Sequence, residues 1–217
     1  MKRNYEMDMC SGPILGKLLT FTIPLIFSGI LQLLFNAADV IVVGRFAGSQ
    51  SLAAVGSTTA LINLMINIFI GLSVGVNVIV ARYYGAKREK DVQDTIHTAM
   101  ALSIVSGLFL IIVGQLLSRP MLELMGTPDD VIDKSTIYMR IIFIGMPANM
   151  IYNFGSAILR AVGDTKRPLY FLTAAGVINV VLNLFFVIMF RMDVAGVALA
   201  TAISQAISAC LVILCLM

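Results

Sequence analysis

Charge is scarce in this chain. Asp, Glu, Lys and Arg together make up 12% of its 217 residues, where soluble domains carry about 25%. With a hydrophobic share of 59%, against about 45–50% for soluble domains, that shortage excludes a soluble fold. Cysteine is nearly as rare. Cys10, Cys210 and Cys215 show no metal-ligand spacing, and the last two sit in an apolar run where cysteine acts as a small hydrophobe. Neither a disulfide framework nor a zinc site is expected. The single histidine, His97, stands close to the start of an apolar segment, where a solvated side chain at headgroup level is the ordinary explanation. No basic cluster is dense enough to bind nucleic acid, although the net charge is +3, so no nucleic-acid partner is expected. A cleaved leader is not expected either. Lys2 and Arg3 are followed by Glu6 and Asp8, and the apolar run beyond them is too long for a signal core of about 7–15 residues.

What is present is apolar sequence in six stretches, at about 15–43, 52–80, 95–117, 131–159, 168–190 and 194–217. Each reaches the roughly 20 residues that a membrane helix needs. The polar breaks between them are short, which makes successive helices antiparallel neighbours. The chain is therefore predicted to be an all-α integral membrane protein, with a cytoplasmic N-terminal segment at 1–14 and a six-helix transmembrane lobe at 15–217. Basic residues set the orientation. Ten of them lie on one side: Lys2, Arg3 and Lys17, then Arg82, Lys87, Arg88 and Lys90, then Arg160, Lys166 and Arg167. Five lie on the other: Arg45, Arg119, Lys134, Arg140 and Arg191. Both ends are predicted to be cytoplasmic, in a multi-pass protein of the cytoplasmic membrane.

Asp39 is the exception within the spans. It lies six residues before Arg45, or about 9 Å at 1.5 Å per residue, and so inside the hydrocarbon but off centre. A charged Asp at the centre of a membrane helix costs roughly 2.5–3.5 kcal/mol on insertion scales, and intramembrane acids face a protein interior or a wet cavity. The competing reading is an acid that snorkels to the headgroups, for which the Asp side chain is short. Asn36, Gln32 and Ser28 precede Asp39 at helical spacing and extend the polar stripe.

Other helices carry polar groups of their own. Thr59, Asn63, Asn67, Gly71 and Gly75 recur at four-residue spacing on the second. The glycines suit close helix packing; Asn63 and Asn67 admit both interhelical glue and cavity lining. Asn149, Tyr152, Asn153 and Ser156 cluster on the fourth, with Tyr138 and Arg140 towards its outer end, and Asn179 and Asn183 lie one turn apart on the fifth. Asn183 and Thr201 sit at equal distances from the short turn that joins the fifth and sixth helices, about 12 Å below it. That is close to the depth of Asp39, so a carboxylate, two amides and a hydroxyl are expected to converge in the outer half of the bundle. Hard oxygen donors of this kind suit a proton or a small cation. Desolvation favours the protonated acid and a bound cation favours the carboxylate, so the two compete at one residue. Pro24 and Pro147 fall inside helices and are expected to bend them, because proline supplies no N–H; a bend is either static or able to change.

Six stretches carry a resemblance: DVIVVGRFAG, LAAVG, GLSVGVNVIVARYYGAK, GSAILRAVGDTKRPLY, NVVLNLFFV and VAGVALATAISQ, in that order. Together they resemble the N-terminal lobe of the multidrug and toxic compound extrusion (MATE) family, from about Leu15 to the last residue. The resemblance implies one six-helix lobe of a twelve-helix fold, and a secondary active antiporter that exports cationic, often aromatic, drugs by alternating access in exchange for Na⁺ or H⁺. It implies that Asp39 matches the family's first-helix acid, and that Tyr138, Asn153, Asn179, Asn183 and Thr201 match polar positions around the cavity. The chain departs from the DinF-like branch, which has a second acid where Asn183 stands. It departs also in length, and the ending CLVILCLM, without polar cap or basic flank, is expected to be a truncation.

The site expected from these readings has Asp39, Asn179, Asn183 and Thr201 binding Na⁺ or a proton. Gln32, Asn36, Asn63, Tyr138, Asn153 and Ser156 line its cavity, and Pro24 and Pro147 supply bends. No metal other than Na⁺ at Asp39, no cofactor and no enzymatic activity are expected, since no His, Cys or second acid lies at matching depth to act beside Asp39. The partners expected are cationic organic small molecules, membrane lipids, and either a missing C-terminal lobe or a second copy. Among thirteen Met residues, Met65, Met146 and Met150 offer an adaptable substrate surface, while packing and lipid contact account for most of the rest. Rival readings are a flippase of lipid-linked sugars, which needs cations in its cavity for pyrophosphate, and a structural half-lobe inactive on its own.

Overall fold

The computed structural model describes residues 14–217. Lys2, Arg3 and Cys10, and with them nearly all of the expected N-terminal segment 1–14, lie outside the described residues. The helices are α1 (Ile14–Phe46), α2 (Ser49–Gly85), α3 (Glu89–Leu124), α4 (Asp129–Ile144), α5 (Met146–Ala161), α6 (Lys166–Leu184) and α7 (Asp193–Leu216), with a π-helical turn at Phe185–Met189 after α6. No strand occurs among the described residues. Among the described residues, five helices are long and apolar enough to cross a membrane, and α4 and α5 pass the same test taken together as one bent pair.

The fourth segment departs from the expected single helix. It breaks at Gly145 rather than bending at Pro147, and the two halves meet at 48°. Pro147 contributes no N–H, and its ring crowds the carbonyl four residues earlier. The chain gives way at the intervening glycine, which leaves Pro147 in the first turn of α5. The elbow is packed from two sides: Gly145 abuts Ala202 of α7, and a Cβ on Gly107 of α3 would overlap the backbone of Pro147. Pro24 behaves differently. Buried in α1, it lies within an uninterrupted helix, and Ser28 Oγ donates to the Pro24 carbonyl at 2.8 Å.

Lipid tails are as apolar as leucine, so association of these helices rests on close packing rather than on a hydrophobic drive. The core runs through the middle of α4 and α5, where Met139, Phe143, Met146, Met150 and Phe154 are fully buried. Gly114 of α3 sits against the Phe143 ring, and Gly155 of α5 against Val212 of α7. Polar contacts tie the ends. On the predicted outer side, Lys134 of α4 pairs with Asp193 of α7 at 2.7 Å, and Ser51 of α2 donates to the same carboxylate at 2.5 Å. On the predicted cytoplasmic side, Asp164 accepts the backbone N–H groups of Lys166 and Arg167, each at 3.1 Å, and pairs with Arg167 Nε at 3.2 Å. A carboxylate at a helix start satisfies N–H groups that have no partner within the helix, which gives the RAVGDTKRP stretch a capping role.

Candidate functional site

The site begins where α1 lies on α6. The Phe35 ring occupies the space that a Cβ on Gly176 would take, so the two helices approach closely and bring Asp39 opposite the last turn of α6. There Asn183 Nδ2 donates to Asp39 Oδ1. The same nitrogen donates to Asn179 Oδ1 at 3.1 Å, and Asn179 Nδ2 donates to Thr201 Oγ1 at 3.2 Å. Thr201 in turn donates to the Val197 carbonyl at 3.0 Å. One hydrogen-bonded chain thus links α1, α6 and α7. Asn183 is fully buried, and its Oδ1 has no hydrogen-bond partner among the described residues. The π-helical turn follows two residues later, an irregularity that occurs often at functional sites. Asp39, Asn179, Asn183 and Thr201 therefore converge, from three helices, at the common depth that the turn-counting anticipates.

Beside this chain opens a cavity of about 430 Å³. Every helix except α3 contributes to its wall. Of the residues expected to line it, Gln32, Asn36, Asn63, Tyr138 and Asn153 do so. Ser156 does not. It is 1% exposed: it shares a face of α5 with Tyr152 and Asn153 but lies one turn further along the helix, past the cavity lining. The α7 residues Ser204, Gln205 and Ser208 line the cavity without being among those expected there, although their spacing from Thr201 puts them on one helical stripe. Of the methionines singled out, only Met146 reaches the lining; Met150 is fully buried and Met65 packs against the core. Among the described residues, Asp39 is the only charged side chain in the wall. The described residues hold no cluster of three or more His, Cys, Asp or Glu fit to bind a metal.

A helical bundle with one intramembrane acid occurs in several transporter architectures, and comparison with known proteins decides among them. A family model described as MatE matches residues 24–185. The chain belongs to the MatE family. Among similar proteins, the probable multidrug resistance protein YoeA of Bacillus subtilis (strain 168) is 35% identical over 188 residues, which are 85% of this chain and 41% of that protein. The probable multidrug resistance protein YpnP of the same organism is 31% identical over 93% of this chain and 45% of its own length. A solved multidrug resistance MATE family transporter in an outward-facing conformation superposes with a TM-score of 0.87 at 26% identity, over 93% of this chain and 44% of that one. This MatE chain is thus an all-α, multi-pass membrane protein from a family of transporters, and it spans less than half the length of these relatives.

Proposed function

We propose that this MatE chain is the N-terminal lobe of a two-lobed antiporter of the cytoplasmic membrane, with its N-terminus on the cytoplasmic side. It exports cationic drugs or other xenobiotics by alternating access in exchange for Na⁺ or H⁺. The observation that carries the reading is the Asp39 carboxylate, held by the Asn183 amide in the wall of a polar cavity. The lengths of the relatives support the two-lobed arrangement, with a second lobe to rock against, as in other transporters built from repeats.

Asp39 binds the coupling ion in this scheme. Its carboxylate, the Asn179 and Asn183 amide oxygens and the Thr201 hydroxyl are hard oxygen donors suited to a small cation. The unpartnered, buried Asn183 Oδ1 supports Na⁺ in particular, because a bound cation would satisfy it. When the coupling ion neutralises Asp39, the cavity loses the only charge that the described residues give it, and with it its hold on a cationic substrate, which then leaves to the outside. Pro24, on the same helix, removes a hydrogen bond from the part of α1 through which a rearrangement at Asp39 is passed on. A flippase reading fares worse, since no Lys or Arg lines the cavity among the described residues to meet a pyrophosphate.

Asp39→Asn tests the proposal in the complete protein. Coupled efflux falls to background while expression and membrane insertion stay normal; efflux at the wild-type rate would overturn it. A Na⁺ gradient imposed at constant pH in proteoliposomes is expected to drive the wild type.

A further inference from the structure

Eight carboxamides line the cavity: Gln32 and Asn36 on α1, Asn63 and Asn67 on α2, Asn149 and Asn153 on α5, Asn179 on α6 and Gln205 on α7. Three of them are occupied by the protein. Asn153 donates to Asn149 Oδ1 at 2.8 Å, and Asn179 is bound to Thr201 and Asn183. The other five, Gln32, Asn36, Asn63, Asn67 and Gln205, hydrogen-bond to no other described residue. Asn63 and Asn67 thus form no interhelical hydrogen bond among the described residues. Five side chains on three helices hold out a donor NH₂ and an acceptor oxygen side by side. The same wall offers aromatic rings at Phe35, Tyr138 and Tyr152 and, among the described residues, no cation.

We propose that this cavity selects a planar heterocycle with adjacent donor and acceptor atoms on its edge, a ring imide or ring amide, uncharged or cationic, over a lipophilic cation without such an edge. The proposal rests on the transport reading above and names its substrate class. A carboxamide pairs with such an edge through two parallel hydrogen bonds, as Asn and Gln do with the edge of adenine, while ring faces stack on aromatic side chains. A greasy cation would neutralise Asp39 but would displace water from five carboxamides and give nothing back to them. Sites built on hydrogen bonds reject analogues that lack the bonding group far more strongly than apolar pockets reject a missing methylene. Among the described residues no Lys or Arg in the wall would meet the phosphate of a phosphorylated form.

The test uses the complete protein in liposomes, with three probes loaded singly: thymidine, its N3-methyl derivative, in which the edge donor is blocked, and tetraphenylphosphonium. The expected result is Asp39-dependent thymidine efflux at least about tenfold faster than that of the N3-methyl derivative, with the preference erased in an Asn36→Leu, Asn67→Leu double variant. Equal handling of thymidine and its N3-methyl derivative would overturn the inference, as would a preference that survives in the double variant. Tetraphenylphosphonium efflux without thymidine efflux would overturn it and leave the antiport reading standing. Loss of Asp39 dependence for every probe would overturn both.

Discussion

Helices α1 and α3 are alike in sequence and opposite in use. Both are long and strongly apolar, at 33 and 36 residues. α3 buries a stripe of small residues, Ala99, Ser103, Ser106, Gly107 and Gly114 among them, against α4 and α5, and contributes nothing to the cavity. α1 leaves most of its length exposed and packs chiefly on α6, yet it supplies Gln32, Phe35, Asn36 and Asp39 to the wall. One helix holds the bundle together and the other brings chemistry to it. Loose packing is what a moving element requires, since local rearrangements draw on the parts of a fold with few buried contacts.

The comparison is broken most directly by adding one methyl group to each helix contact. Gly107→Ala places a Cβ on the backbone of Pro147, which cannot rotate away. Overpacking of this kind costs about 1–3 kcal/mol, and the expected outcome is a lower melting temperature in detergent with poor recovery of folded protein. Gly176→Ala meets only the ring of Phe35. A ring yields more readily than backbone, so stability falls less than at Gly107, but the displaced ring shifts α1 against α6 one turn from Asp39. Coupled efflux is expected to fall about tenfold, the effect of losing roughly one charge-assisted hydrogen bond. If Gly176→Ala unfolds the protein and Gly107→Ala leaves it folded, the division of labour is the reverse of the one drawn here.

A smaller effect is expected at the outer clamp, which joins α2, α4 and α7 and touches neither α1 nor α3. Asp193 is held at φ 54°, in the left-handed region, by Lys134 and Ser51. Both ionic partners are about a third exposed, so Lys134→Met is expected to cost only about 1 kcal/mol. Asp193→Gly in the same chain recovers part of that loss, because glycine takes a positive φ without strain. Thermal melts of the single and double variants measure both, and coupled efflux remains unchanged.

Sequence reading reached the spans and the depth of the polar residues, because both follow from the rise of a helix and the positions of its turns. Asp39, Asn183 and Thr201 meet for that reason. Faces were harder to read. A helix that is apolar all round has no polar side to orient it, so its neighbours decide which residues point inward. Gln205 stands on such a helix and lines the cavity, whereas Ser156 shares the polar face of α5 and is buried one turn past the lining. The break at Gly145 was hidden for a related reason. Proline announces that a helix is disturbed, but the position of the disturbance depends on the packing of Gly107 and Ala202 around the elbow, contacts remote in sequence.

Ser156 provides the smallest prediction and a sharp control for the comparison. It lies one helical turn beyond the cavity residues Tyr152 and Asn153, on the same face of α5, yet is buried. The Tyr152 hydroxyl already donates to the Pro168 carbonyl at 3.2 Å, so removing the serine hydroxyl leaves that contact in place. The Ser156 oxygen is buried without a hydrogen bond, and deleting an unsatisfied polar group is neutral or slightly stabilising. Ser156→Ala is therefore expected to keep wild-type efflux and to shift stability by no more than about 0.5 kcal/mol. A clear loss of efflux with normal stability would return Ser156 to the working surface. It would also show that the cavity extends one turn further along α5 during transport, which would make the packed body, and not only α1, a moving part.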